Sequence, residues 1–455
     1  MGTATQRTIL FLIADTGAGH RSAANAISHA INIIAEREQE EWQAQHAASG
    51  MEDEIAPPPP AYRLEIVDVF EEYSRFPLRE AVKLYGPTIR YNPKLYGQFF
   101  HSTNREGVVV SVNTLAAPLV LNGLLRLFTT VQPDIIVSIH PMVNFVTVRA
   151  LRKLGMKVPF LTVVTDLVSV HYSWYSPGVD GYIVPTEEAK RIYLQRGLDP
   201  RKVHVLGMPI DPRFSLPVAS KEELRAKFDL LPGLPVVLLV GGGDGAGGLR
   251  TAVRAISEAR LPIQLMVVTG RNRRLYANLQ STRSRLHVPA KIFGFVNNMP
   301  ELMHAADVIV TKAGPGTICE ALACNLPVVL SGYVPGQEEG NVAYVVKNGA
   351  GVLAPDPISL VDALRRLIVP GSAELRLFTE KATLLSQPMA SFEIAKCIQN
   401  YMESGIERYG RQAGQWQYRQ RKLAVRLRAA IRFRRSRLRV RLPLLNRPLL
   451  KRHFL

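Results

Sequence analysis

Ile9-Leu-Phe-Leu-Ile-Ala-Asp-Thr-Gly-Ala-Gly-His20 and Val236-Val-Leu-Leu-Val-Gly-Gly-Gly-Asp-Gly-Ala-Gly-Gly248 each pass from an uninterrupted apolar run into a glycine-rich turn. Apolar runs of this length bounded by glycine read as parallel strands buried on both faces. A helix that starts after such a turn has backbone N–H groups without partners inside the helix, and these stabilise a phosphate or another acceptor. Two such turns roughly 225 residues apart predict an α/β protein with two Rossmann-like, doubly wound domains facing one cleft.

The rest of the chain agrees with that frame. A strand at 9–14 leads into a helix over about 22–38, with Ala23, Ala26, Ile27, Ala30, Ile31 and Ile34 on one face. Residues 36–60 are rich in Glu and Gln and close on Pro57-Pro-Pro-Pro60, a composition that predicts a mobile insertion. Strands at 64–69, 134–139, 159–164, 181–184 and 203–206 complete the first sheet, and the proline-rich stretch 209–217 reads as a linker. A helix from Ser220 and strands at 235–240, 263–269, 290–293, 307–311 and 326–331 build the second sheet. The expected divisions are 1–215, 216–404 and a basic tail, 405–455.

The chain of 455 residues has a formal net charge of +18, but 16 of its 56 Lys and Arg lie in Arg408–Leu455, which has no acid. The preceding 407 residues carry 40 bases against 38 acids, a net of +2. The high isoelectric point therefore belongs to the tail. Its Arg and Lys alternate with Leu, Val and Ile, which suits a basic amphipathic segment on anionic lipid. A solvated tail and a nucleic-acid contact are the weaker readings. Three cysteines in no metal-ligand spacing fit a reducing cytosol. The N-terminus reads as a first strand rather than a signal peptide, and no run of about 18 uninterrupted apolar residues predicts a bilayer span.

The densest chemistry lies downstream of residue 293. In Asp307-Val-Ile-Val-Thr-Lys-Ala-Gly-Pro-Gly-Thr-Ile-Cys-Glu320 a strand and a glycine-proline turn lead into a helix starting near Pro315. Glu320, one turn in, is placed either to accept ribose hydroxyls or only to complement the helix dipole. Pro335-Gly-Gln-Glu-Glu-Gly-Asn341 groups an amide and two acids on a turn. In the first half, His140 and Asp166 follow strands, at the edge where open α/β sheets hold ligands. Between Tyr73 and Phe100, seven aromatic residues alternate with bases and prolines. That segment is read equally as packing and as a lipid contact.

These motifs, in this order, resemble the monogalactosyldiacylglycerol synthase and processive diacylglycerol glucosyltransferase family. The resemblance rests on residues 14–21, Ile139-His-Pro141, Val163–Leu167 with His171 and Trp174, Gly241–Gly247, Lys312–Thr317 and Pro335–Asn341. It implies the GT-B arrangement, with an acceptor-binding first domain and a donor-binding second domain. It also implies inverting transfer of galactose or glucose from a UDP-sugar to 1,2-diacylglycerol, without a metal or other cofactor. On that pattern Phe295 and Val296 border uracil, and Gly242, Gly243, Gly314, Gly316 and Thr317 meet the diphosphate. Glu320 takes the ribose, and Gln337, Glu338, Glu339 and Asn341 surround the sugar. Gly17, Gly19, His140, Asp166, His171 and Trp174 fall on the acceptor side.

Transfer to an alcohol needs a base. His20 is the candidate, with Asp15 to orient its ring; His140 and Asp166 are alternatives, and a purely capping His20 stays open. Ala18 replaces the middle of three glycines common in the family. The same motifs leave two other readings: N-acetylglucosaminyl transfer to a polyprenyl-linked acceptor, and an NDP-sugar 2-epimerase on the same fold. The expected location is cytoplasmic, peripheral on the inner face of the cell membrane.

Overall fold

A computed structural model describes residues 5–48, 57–242 and 248–409. Met1–Gly405 forms one compact unit, and a second begins at Ile406. The basic tail from residue 410 onward and Gly243 lie outside the described residues.

The first sheet has six parallel strands, β1 (Gln6–Ile13), β2 (Ala61–Asp68), β3 (Ile135–Ser138), β4 (Phe160–Val163), β5 (Gly181–Val184) and β6 (Val203–Val205), in the order β2-β1-β3-β4-β5-β6. The second has β7 (Val236–Val240), β8 (Gln264–Val268), β9 (Ala290–Phe293), β10 (Val308–Lys312), β11 (Val328–Gly332) and β12 (Gly351–Leu353), in the order β12-β11-β10-β7-β8-β9. All pairings are parallel, as expected for strands buried on both faces. Ile9 to Ala14 and Val236 to Leu239 are fully buried. Each sheet reverses strand order beside its first strand, between β1 and β3 and between β10 and β7, and ligands of open α/β sheets bind beyond such points.

Several boundaries differ from the expectation. Helix α1 (Ala18–Ala48) continues through residues 36–48 of the supposed insertion, because its Glu, Gln and Ala are good helix formers. Strand β2 begins at Ala61, three residues early, since its full register with β1 satisfies the backbone. Residues 69–103 fold into four short helices: α2 (Val69–Tyr73), α3 (Leu78–Lys83), α4 (Tyr85–Tyr91) and α5 (Pro93–Thr103). The helix Ala390–Tyr409 leaves the second sheet and returns to the first, where Glu403 pairs with Arg7 at 3.1 Å and Tyr401 meets His204 at 2.9 Å. The segment expected to end the second domain at 404 thus braces the first.

Helix α6 (Glu106–Val131) was not anticipated. Its mean hydropathy of 1.8 over an 18-residue window makes it, among the described residues, long and apolar enough to cross a membrane by length and composition. The expectation, set on an uninterrupted apolar run, passed over it: Ser, Thr and Asn break the run, while Val and Leu keep the mean high. The C-terminal half packs against α2 and α7 (Asn144–Leu154), burying Val120, Leu124, Leu127 and Phe128. The N-terminal half leaves Val108, Val110, Val112 and Leu115 exposed, Leu115 by 80%. Phe76, Leu84, Leu95 and Phe99 extend this exposed apolar character over the preceding helices.

Gly123 lets α6 touch α2, because a side chain there would overlap the Tyr73 carbonyl. Gly123→Val should lower unfolding stability by about 1–3 kcal/mol despite the gain in helix propensity, checked by chemical denaturation.

Candidate active site

In the second half Gly242, just beyond β7, and the turn after β10 come together where the strand order reverses. Gly242 adopts φ +69°, a conformation that favours glycine, and faces the Lys312 stem. Gly314 caps the helix Pro315–Ala323 without any side-chain hydrogen bond, so the first-turn N–H groups at Gly316 and Thr317 are not met by a capping side chain. Nothing stands within 4 Å of where a Cβ on Gly316 would lie, which leaves room for a ligand. Lys312 reaches between the two turns, its Nζ 2.6 Å from Glu338 Oε1. Here an N-terminal dipole, backbone amides and one ammonium converge, a setting suited to a diphosphate. Glu320, one turn along, is pushed up to about 7 by desolvation, with Asp211 adding repulsion.

The turn at 335–341 does not present all its polar groups alike. Glu338 is buried, with one oxygen on Lys312 and the other accepting from the Val334 N–H at 2.8 Å. Glu339 accepts from the Gly336 N–H at 2.9 Å. Asn341 is buried and donates to the Ala313 carbonyl at 2.9 Å, which makes it a brace between this turn and β10 rather than a surface for sugar. Gln337 reaches across to the first half: its Oε1 accepts from Tyr96 at 2.9 Å, and its Nε2 stands 3.5 Å from Asp166 Oδ1. Phe295 is exposed, with Arg271 over its ring, and Val296 packs against the core beneath.

In the first half, Asp68 at the end of β2 accepts from the Asp15 N–H at 2.9 Å and so anchors the first glycine turn. Ala18 opens α1 in helical conformation, which explains why alanine suits that place. Asp15 does not orient His20. Its carboxylate is engaged by Arg21 through contacts of 2.7 to 3.0 Å, the guanidinium being the stronger partner. The His20 ring instead meets Thr165 Oγ1 through Nδ1 at 3.2 Å and hydrogen-bonds the Ile139 carbonyl. A carbonyl only accepts, so the nitrogen facing it carries the proton and its counterpart keeps the lone pair. Burial lowers His20 to about 4, against weaker opposing effects from Ile139 and Asp15. The ring is a neutral imidazole at physiological pH.

His140 is a positioning group. Its Nδ1 accepts from the Met142 N–H at 3.3 Å, so Nε2 carries the proton that Thr16 Oγ1 receives at 3.3 Å. Burial, then the neighbouring His20, hold it well below the usual imidazole range, and the two rings meet edge-on at 4.7 Å. A backbone N–H holds the His140 lone pair, whereas the His20 lone pair faces only the Thr165 hydroxyl, which can rotate away; that difference favours His20 over His140 as a base. Asp166 is buried and pushed up to about 6 by desolvation, against hydrogen bonds from Trp174 Nε1, at 2.6 Å, and Gln337. His171 lies under α5, its ring 4.8 Å from Phe100 and its Nδ1 capping Ser173. Gly17 and Gly19 line the turn with open space where a Cβ would be. His20, His140, Asp166, Trp174 and Gln337 therefore share one region between the two sheets. Lys312, Thr165, Arg21 and Tyr96 join it with roles the sequence did not assign, although each lies in a segment the sequence singled out.

A family model described as monogalactosyldiacylglycerol (MGDG) synthase matches residues 44–210, and one for the glycosyltransferase family 28 C-terminal domain matches residues 236–387. The chain is 38% identical over 409 residues to a probable monogalactosyldiacylglycerol synthase 2, chloroplastic, of Oryza sativa subsp. japonica, covering 87% of this chain and 81% of the relative. The chain belongs to the MGDG synthase family. Identity to monogalactosyldiacylglycerol synthase 3, chloroplastic, of Arabidopsis thaliana is 35%, covering 88% and 82%. MurG of Acinetobacter baumannii shares the fold, with a TM-score of 0.54 at 15% identity over 87% of this chain and 99% of that one. This MGDG synthase family member is thus a glycosyltransferase of the GT-B architecture. The expected cytoplasmic location at the inner face of the cell membrane is overturned by these relatives, which are named chloroplastic.

Removing Lys312 strands the buried Glu338 carboxylate. Lys312→Met should cost roughly 3 kcal/mol in chemical denaturation, and Lys312→Met with Glu338→Gln should recover most of it.

Proposed function

We propose that this protein transfers galactose, with inversion, from UDP-galactose to the free hydroxyl of 1,2-diacylglycerol. The observation that carries the reading is the run of contacts from the neutral imidazole of His20 through Trp174 and Asp166 to Gln337, on the turn whose Glu338 holds Lys312 beside the uncapped helix start. The galactosyl and lipid identities come from the family relationship, since the fold alone suits other nucleotide-sugar enzymes equally well.

His20 takes the proton of the acceptor hydroxyl as that oxygen forms its bond to the anomeric carbon. On the opposite face the bond from this carbon to the β-phosphate oxygen breaks, and the electron pair leaves with UDP. The first-turn amides of the helix Pro315–Ala323, Gly242 and Lys312 stabilise that negative charge, a task some enzymes give to a cation. No metal is required in this scheme. Glu320 accepts the ribose hydroxyls, and Gln337 and Glu339 face the hexose. Burial keeps His20 unprotonated at rest, and the negative charge of bound donor favours the imidazolium when it forms.

The diacylglycerol stays in its bilayer. The exposed apolar residues of α3–α6, flanked by Arg75, Arg79, Lys83 and Lys94, form the surface by which the first domain meets lipid, and the basic tail adds attraction to anionic headgroups.

Purified protein given UDP-galactose and diacylglycerol micelles should yield monogalactosyldiacylglycerol, with EDTA having no effect. His20→Ala should reduce the rate by about 10²- to 10⁴-fold. Failure to form galactolipid by protein that still binds UDP would reject the reading. Because Glu320 titrates near 7 in the folded protein, it is ionised above that pH and protonated below it. UDP affinity should therefore weaken roughly tenfold from pH 8 to pH 6 as the charged acceptor is lost, and calorimetry on Glu320→Gln should show weak, pH-independent binding.

A further inference from the structure

The turn that carries Gln337 is gripped from the first domain by one face of α5. A side chain on Gly97 would strike Pro335, with 2.7 Å between Cβ atoms, and one on Gly336 would strike the Phe100 ring at 2.9 Å. Gly336 has φ +80°, so the turn is shaped for this close approach. Within that contact, Tyr96 donates its hydroxyl to Gln337 Oε1 at 2.9 Å. At the other end of the amide, Asp166 Oδ1 faces Nε2 at 3.5 Å, while Trp174 holds Asp166 Oδ2 at 2.6 Å.

An amide has one accepting and one donating end, and its orientation decides which pattern of sugar hydroxyls it reads. A flipped Gln337 would set its carbonyl oxygen against the Asp166 carboxylate, two acceptors facing each other. The carboxylate, which only accepts, thus allows a single orientation, and in it the Tyr96 hydroxyl donates to Oε1 and holds that end of the amide in place. We propose that Tyr96 is a positioning residue for the donor hexose, holding the Gln337 amide in the orientation that selects galactose over its C4 epimer. Selectivity for the donor is then set partly by the acceptor-binding domain. This rests on the reading above that Gln337 faces the hexose.

The test is Tyr96→Phe, which removes one oxygen and keeps the ring that packs on the turn. Its melting temperature should match the parent, and its affinity for UDP alone should be unchanged. The ratio of kcat/KM for UDP-galactose over UDP-glucose should fall about fivefold. Gln337→Ala should lower the same ratio, and adding Tyr96→Phe to it should cause no further loss, because the hydroxyl acts only through the amide. An unchanged ratio in Tyr96→Phe, where Gln337→Ala lowers it, overturns the proposal and leaves the assignment of Gln337 standing. An unchanged ratio in Gln337→Ala overturns that assignment, and the role of Tyr96 with it. The difference in affinity between UDP-galactose and UDP, measured by calorimetry, gives the same comparison without turnover.

Discussion

Parallel strands deliver the start of every following segment to the same edge of a sheet. That constraint governs this molecule twice. Where strand order reverses, two such segments diverge and leave a crevice, one beyond the ends of β7 and β10 and the other beyond the ends of β1 and β3. Helix starts gathered at an edge carry partial positive charge, so the second crevice is prepared for an anion before any side chain is considered. In the first, the same geometry stacks His20 against His140 at the entrance.

Burial then decides what those side chains can do. A histidine in water is half charged near neutrality, whereas His20 and His140 are both held neutral by desolvation. Two adjacent imidazoles could not both be charged in that space, and their hydrogen bonds divide the work: His140 ties down Thr16 of the glycine turn, and His20 retains a lone pair. Asp166 follows the opposite direction, raised by the same desolvation but still hydrogen-bonded as a carboxylate to Trp174. The ion pair of Lys312 with Glu338 performs a comparable service in the second half, fixing an ammonium beside Gly242 and Gly314, which have no side chains of their own.

The sheet strands and glycine turns were legible in the sequence because short apolar runs bounded by glycine have few alternatives. Thr16, Arg21 and Thr165 were not, since their roles depend on which rotamer meets which ring across elements far apart in sequence. Asp15 illustrates the difficulty: it is close to His20 in the chain, yet Arg21, one residue further, lies on the side the carboxylate faces. Glu338 and Asn341 had the polarity of sugar contacts, but the chain folds their side chains inward, and polarity alone does not report direction. Helix α6 was missed because its Ser, Thr and Asn break an apolar run that the folded helix distributes around its surface. β12, three residues long, has too little pattern to announce itself.

Helix α5 is where these separate features become one device. Its spacing puts Leu95 and Phe99 on the solvent side and Tyr96 and Phe100 on the other, as neighbours four apart must lie. The inner pair presses on the turn bearing Gln337, through a contact so close that only glycine fits on either side. A short helix is rigid across its own diameter, so a force on the outer face is transmitted to the inner one. If the outer face meets lipid, arrival at the membrane and placement of the sugar-reading amide are movements of a single body.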